Sequence, residues 1–149
     1  MNKVLFVSSG GGHYTELKHL KATMNNFNSV VVTEDNITDV DVDYFLKYGT
    51  RSHLFKYLWI FILNTLKAYQ IIVKEHPRCI VSTGAHSCVP FFILGYIFRI
   101  KLIYIESYAK VNKPSLTYKI INRLCNVIYV QHEEMIKIYP KAVYIGGVY

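Results

Sequence analysis

Apolar positions fall along this chain in short, nearly unbroken runs: KVLFVSS at 3–9, SVVVT at 29–33, RCIVST at 78–83, KLIYIES at 101–107, NVIYVQ at 126–131 and AVYIG at 142–146. Their wealth of Val, Ile and Tyr marks them as strands. Because the runs do not alternate apolar with polar, both faces of the sheet they form should be covered by helices, as in parallel sheets. Helical spacing between the strands points the same way. The pattern predicts one α/β domain over residues 1–149, a Rossmann-like doubly wound parallel sheet.

The intervening helices have readable faces. One is predicted from Tyr14 to Met24, with Leu17, Leu20 and Met24 on one side and Glu16 in the first turn, where the helix dipole favours a carboxylate. Another should start at Pro114 and turn Leu116, Ile120, Ile121 and Leu124 inward. A long helix from Leu54 to Lys74 carries a polar stripe of Lys56, Asn64, Lys67, Gln70 and Lys74, and its segment YLWIFIL at 57–63 is apolar all round. That segment is too short to span a bilayer. It either packs on the sheet or lies in the headgroup region, with Trp59, Phe61 and the flanking Lys56 as membrane contacts. Residues 34–53 mix charge, glycine and weak periodicity and read as a long loop.

Composition sharpens this picture in three ways. A hydrophobic share of 52%, with 13 Tyr and 8 Phe, leaves apolar surface for a membrane or a partner. An excess of 17 Lys and Arg over 10 Asp and Glu favours anionic partners. The three cysteines, Cys79, Cys88 and Cys125, lie among apolar residues without a C-x-x-C pair, as buried thiols in a reducing compartment do. The start, MNKVLFVSSGGGH, has too short an apolar run for a secretory signal, so the expected location is the cytoplasmic side of the cell membrane, held peripherally.

The chemistry gathers in loops that follow strands. Ser8-Ser9-Gly10-Gly11-Gly12-His13 joins the first strand to the first helix, the place where α/β sheets bind anions. Ser9, Gly10, Gly11, Gly12 and Thr15 are the candidate diphosphate contacts. Neither a dinucleotide fingerprint nor a P-loop fits, since Thr15 stands where the first needs glycine. His13, at the positive end of the helix, is either a neutral general base or a residue that merely caps the turn. A second loop, Ser82 to Pro90, would bring Gly84, His86 and Ser87 to the same cleft, with Ser87 capping the next helix, unless it is only a helix entry. Glu106, at the end of KLIYIES, would bind a sugar hydroxyl, orient a base or simply face solvent. The spacing Asp39-Val40-Asp41-Val42-Asp43 matches a metal-binding pattern but sits in the irregular loop, so no metal is assigned.

The strings VSSGGGHYTEL, IVSTGAHSCVPFF, KLIYIES, KPSLTYKI, YVQHEEM and YPKAVYIGGVY together resemble the accessory subunits of capsular and exopolysaccharide glycosyltransferases. That family is similar in turn to the membrane-recruiting subunit of the eukaryotic two-chain dolichol-linked N-acetylglucosaminyltransferase. More distantly, the loop and the later carboxylate resemble the N-terminal domain of the glycosyltransferase that makes lipid II. On that comparison His13 matches the loop histidine and Glu106 the acidic residue near the acceptor, while Ser8 and Ser9 replace glycines. The resemblance implies the N-terminal half of a GT-B glycosyltransferase split over two chains, with His13 and Glu106 catalytic. This chain would bind a lipid diphosphate-linked saccharide at the inner face of the membrane. A donor-binding partner would hold the UDP-sugar, because the chain ends at Gly146-Gly147-Val148-Tyr149 without a second domain; no cofactor is expected. The competing readings are a non-catalytic scaffold that recruits and activates the partner, and a self-sufficient nucleotide-binding enzyme. Nucleic acid is not an expected partner, since the basic residues are dispersed.

Overall fold

The computed structural model describes residues 2–49, 54–111 and 113–148. Seven strands form one sheet: β1 (Lys3–Ser8), β2 (Asn28–Glu34), β3 (Tyr44–Leu46), β4 (Cys79–Gly84), β5 (Lys101–Ile105), β6 (Val127–Val130) and β7 (Ala142–Tyr144). Their spatial order is β3-β2-β1-β4-β5-β6-β7, and every neighbouring pair is parallel. This is the doubly wound arrangement expected from the continuous apolar runs, with its reversal of direction between β1 and β4.

The helices are α1 (Gly12–His19), α2 (Lys21–Met24), α3 (Leu54–Glu75), α4 (Val89–Ile97) and α5 (Leu116–Ile121). One face of the sheet, carrying Leu5, Val7, Val32, Ile80, Leu102 and Tyr104, is sealed by Ala68, Ile71 and Ile72 of α3 and by Phe91 and Phe92 of α4. Both Phe91 and Phe92 are fully buried. Truncating either to Ala would cost about 3–5 kcal/mol by leaving a cavity. The opposite face packs Val4, Phe6, Val81 and Ile105 against Tyr14, Leu17 and Met24.

Several local expectations are corrected. The predicted helix from Tyr14 to Met24 begins at Gly12 and breaks at Leu20, so Glu16 lies beyond the first turn and is buried. The predicted loop at 34–53 contains β3, a three-residue strand paired to β2; residues 50–53 of that stretch, like Tyr149, lie outside the described residues. In α5 the N-cap is Ser115, whose hydroxyl accepts from the Tyr118 N–H, and Pro114 precedes it. Ile121 alone of the four apolar residues assigned inward is fully buried; Leu116 and Ile120 are exposed and Leu124 is half-buried. Asn64 leaves the predicted polar stripe of α3, because its buried amide donates to the Lys47 carbonyl and accepts from the Lys47 N–H, both at 2.9 Å, fixing the exit of β3.

Candidate functional site

At the carboxyl ends of β1 and β4, where the strand order reverses, two loops meet. The Ser9 N–H donates to the Gly84 carbonyl at 2.9 Å, and the hydroxyls of Ser9 and Ser87 lie 2.5 Å apart. The register between β1 and β4 slips at this point, from Val7 opposite Ser82 to Ser8 opposite Gly84, so that Thr83 is a bulged residue. The bulge serves His13. Its Nδ1 lies 2.9 Å from the Thr83 carbonyl oxygen, while Thr83 Oγ1 donates to the His13 carbonyl at 2.7 Å. A carbonyl can only accept, so Nδ1 carries the proton of this bond and Nε2 is the ring nitrogen left for another partner. Gly84 has φ +100°, and a Cβ there would stand 3.1 Å from His13 Nδ1. Only glycine fits both the backbone and the approach of the imidazole.

The start of α1 has the geometry of a helix N-terminus of the kind that binds anions. Gly11, with φ +70°, is the N-cap, and its carbonyl accepts from the N–H groups of Tyr14 and Thr15. The N–H groups of Gly12 and His13 belong to the first turn and have no intrahelical acceptor. Nothing lies within 4 Å of a Cβ placed on Gly12, so a ligand has room there. Gly10 is differently employed: its N–H donates at 2.9 Å to Glu34 Oε2. His86 Nε2 lies 3.3 Å from the other oxygen of Glu34, and the His86 ring packs on Tyr57 with centroids 5.5 Å apart. Burial pushes the Glu34 carboxyl up, and the Gly10 N–H partly offsets this.

Of the other loop residues assigned to the diphosphate, Thr15 is exposed and its hydroxyl lies 3.4 Å from the Gly11 carbonyl. Ser87 does not cap α4: a 3-10 turn at His86–Cys88 intervenes, and the Ser87 hydroxyl is held by Ser9.

Glu106 is 1% exposed. It accepts hydrogen bonds from Tyr104 Oη at 3.1 Å, Ser107 N at 3.0 Å, Ser115 N at 3.4 Å and Tyr139 Oη. The carboxylate therefore ties the end of β5 to the start of α5 and to Tyr139, instead of presenting itself to solvent or an open ligand pocket. A second carboxylate, expected from the sequence only as a first-turn acid, is buried as well. Glu16, one helical turn after His13, is 3% exposed; its Oε1 accepts from Ser107 Oγ at 2.8 Å and Tyr108 N at 3.0 Å. Its Oε2 is buried without a hydrogen-bond partner among the described residues. Burial pushes this carboxyl up, opposed by the Ser107 and Tyr108 bonds and by His13. The only sequence signal was its position three residues after the loop histidine.

On α3 the buried stripe is narrow, and Phe55, Trp59, Ile62 and Leu66 stand out from the surface, Phe55 at 88% and Trp59 at 61% exposure. Lys56 is exposed beside them. Phe61, grouped with Trp59 as a membrane contact, is instead half-buried against the core. No described helix is long and apolar enough to cross a membrane. The acidic turn holds Asp39 and Asp41 against Lys18 and Lys21 at 3.4 and 2.5 Å.

Residues 48–148 match the profile of the family described as "Oligosaccharide biosynthesis protein Alg14 like". The chain is similar to the human UDP-N-acetylglucosamine transferase subunit ALG14, 25% identical over 177 residues that cover 97% of this chain and 82% of that protein. The Yarrowia lipolytica protein of the same name is 32% identical over 85 residues, covering 53% of this chain and 39% of that protein. Among solved structures, MurG of Acinetobacter baumannii superposes with a TM-score of 0.78 at 12% identity, over 99% of this chain and 46% of that one. UDP-N-acetylglucosamine 2-epimerase of Rickettsia bellii gives 0.76 at 15% identity, over 99% and 45%. The chain thus spans about half the length of these solved proteins and has the Rossmann-like fold of their N-terminal, GT-B-type halves.

Proposed function

The chain belongs to the Alg14-like family of oligosaccharide biosynthesis proteins, and from that premise we propose that it is the acceptor-side, membrane-associating subunit of a two-chain glycosyltransferase. A separate partner chain holds the UDP-sugar, N-acetylglucosamine being the sugar in the name of its relatives. The acceptor is a lipid diphosphate-linked saccharide met at the cytoplasmic face of the membrane, and the product feeds capsular or exopolysaccharide assembly, in keeping with the motif resemblance along the chain. The observation that carries this reading is His13: its Nδ1 is fixed on Thr83, which leaves Nε2 for the acceptor at the start of α1, where the first-turn N–H groups have no intrahelical acceptor.

In the mechanism that follows, diphosphate oxygens of the acceptor accept from the N–H groups of Gly12 and His13, assisted by the positive end of the helix. Nε2 of His13 removes the proton of the attacking hydroxyl as its oxygen bonds to the anomeric carbon of the donor sugar. The bond from that carbon to the UDP oxygen breaks, and UDP leaves on the partner's side. Ser9, Ser87 and Gly84 shape the loop; Gly10 and His86 act through Glu34. Glu106 positions the segment that leads into α5 and does not touch the acceptor. The exposed apolar face of α3 and the net charge of +7 support peripheral attachment to anionic lipid.

The test is co-expression with the donor-binding partner and assay of sugar transfer to a lipid-linked acceptor. Transfer requires both chains. Robust transfer by the purified single chain would sink the split-enzyme reading.

A further inference from the structure

Beyond the glycine-rich loop, a hollow of about 440 Å³ opens on the same edge of the sheet, walled by Tyr108, His132, Glu133, Glu134 and Tyr144. Tyr108 follows β5, His132 to Glu134 follow β6 and Tyr144 closes β7, so parallel winding alone gathers them at the carboxyl ends of three neighbouring strands. The volume is that of a small-molecule site. Its floor is fixed by Gln131, which is 4% exposed, donates from Nε2 to the Glu106 carbonyl at 3.0 Å and accepts from the Val148 N–H at 2.9 Å. One wall is fixed as well. The rings of Tyr108 and His132 pack with centroids 4.5 Å apart, and His132 Nε2 lies 2.7 Å from the Tyr108 carbonyl oxygen.

Charge, shape and place together say what the hollow takes. Among the described residues its lining holds two carboxylates, Glu133 and Glu134, and no Lys or Arg. In a chain of net charge +7 this is a local reversal of sign, and it disfavours a phosphate. It favours a neutral ligand rich in hydroxyl donors, because an O–H bonded to a carboxylate is among the stronger hydrogen bonds. Tyr108 and Tyr144, both partly exposed, set flat apolar rings beside those acceptors. His132 adds Nδ1, the ring nitrogen left for another partner once Nε2 has donated to the Tyr108 carbonyl. A pyranose, with C–H faces and a rim of hydroxyls, matches this set of surfaces. The place ties it to the loop site. The Tyr108 N–H donates at 3.0 Å to Glu16, one helical turn after His13, and β6 lies two strands from β4, about 10 Å across the sheet.

We propose that this hollow beyond β5, β6 and β7 is the saccharide subsite of the acceptor, while the first turn of α1 holds the diphosphate to which that sugar is attached. The inference rests on the acceptor reading above and adds a subsite to it. Tyr108 packs on a face of the pyranose, and Glu133 and Glu134 accept from its hydroxyls. Glu16 fixes the Tyr108 backbone relative to His13, so that the spacing between base and sugar is set by the fold. The sugar contact expected of Glu106 thus passes to the residues around it, with Glu106 buried beneath and its carbonyl holding Gln131.

Chemical-shift titration of the full chain reads the two halves of the site separately. The probes are inorganic pyrophosphate and four free sugars, glucose, galactose, mannose and N-acetylglucosamine, each raised to about 100 mM so that millimolar affinity registers. At least one sugar is expected to move the resonances of Tyr108, His132 and Tyr144, and pyrophosphate those of Gly12 and His13. In the two-chain enzyme, Tyr108→Ala should raise the acceptor KM about tenfold with kcat nearly unchanged, and Tyr108→Phe should restore it. Both variants keep the backbone N–H and carbonyl that Glu16 and His132 hold, so the contrast between them reports on the ring alone. Pyrophosphate shifts without any sugar shift would overturn the subsite and leave the diphosphate site standing. Silence from all probes would overturn the acceptor site itself. An unchanged KM in Tyr108→Ala, or loss of assembly with the donor-binding chain in place of the KM effect, would make the hollow a protein interface and the proposal wrong.

Discussion

His13 and Thr83 hold each other by two hydrogen bonds, imidazole Nδ1 to the Thr83 carbonyl at 2.9 Å and Thr83 Oγ1 to the His13 carbonyl at 2.7 Å. The pair joins the start of α1 to the bulged end of β4 across the switch point of the sheet. It fixes the ring orientation and the tautomer at once, which is what a general base needs before substrate arrives. His13→Ala in the assembled two-chain enzyme is expected to lower kcat by about 10²–10⁴ while partner binding persists. A loss confined to KM would assign His13 to diphosphate binding instead. Unchanged turnover would move catalysis to the partner and leave this chain a recruiting scaffold.

Two glycines of the site should respond differently to alanine. At Gly84, positive φ and the 3.1 Å approach to His13 make Gly84→Ala costly, by about 1–3 kcal/mol, with displacement of the ring. At Gly12 a methyl meets no protein atom, and alanine is the better helix former, so Gly12→Ala should leave thermal stability equal or raised. Acceptor affinity of Gly12→Ala is nevertheless expected to fall, because the added methyl occupies the space left for the ligand. Full acceptor affinity in that variant would show that the first turn does not meet the diphosphate.

On α3 the outward face and the inward face can be separated by substitution. Phe55→Ser with Trp59→Ser should abolish sedimentation with anionic vesicles and leave the unfolding midpoint nearly unchanged, since both side chains are exposed. Phe61→Ser, on the core side, should cost about 2–4 kcal/mol of stability. Added salt should weaken vesicle binding of the wild type. Undiminished sedimentation of the double variant would place the membrane contact elsewhere.

Long-range order was legible because it rests on hydrophobic patterning. Six of the seven strands follow continuous apolar runs, and the meeting of the loops after β1 and β4 follows from parallel winding alone. β3 was hidden because a three-residue strand inside a charged segment has no period to read. Two features of the site were hidden for one reason. Sequence position places Glu106 at a strand end, but only folding brings Tyr139, distant in the chain, onto its carboxylate, and burial rather than type decides its role. Glu16 likewise reads as a first-turn acid in the sequence, whereas α1 starts two residues earlier and turns it under the loop at Ser107.

Glu106 and Tyr139 provide a test of that revised role. Glu106→Ala leaves the Tyr104 and Tyr139 hydroxyls and the Ser107 and Ser115 N–H groups without their shared acceptor. A loss of about 2–5 kcal/mol is expected. Tyr139→Phe removes one donor and should cost about 1–2 kcal/mol. If Glu106 is a hub, transfer by folded Glu106→Gln enzyme should remain within about tenfold of wild type. A loss comparable to that of His13→Ala, with unchanged stability, would return Glu106 to the acceptor site.

Glu16 makes folding stability depend on pH with a sign that can be worked out. Its carboxyl is raised from the ordinary value of 4.5, chiefly by burial. The folded state therefore holds the proton more tightly than the unfolded state, so the stability it contributes is fully present below pH 4.5 and is lost as pH rises through the folded value. Glu34 is raised for the same first reason and adds a decline of the same sign. Glu16→Gln retains an acceptor for Ser107 and Tyr108 but buries an amide N–H₂ without a partner, a pH-independent cost of about 1–3 kcal/mol. The variant should thus be less stable than wild type in acid, and the gap should narrow or reverse toward pH 8, when only wild type has an ionised carboxylate buried there. Urea unfolding at intervals between pH 4 and pH 8 reads the gap directly. A constant difference across the range would mean that the Glu16 carboxyl titrates alike in both states, and that its unpartnered oxygen is solvated.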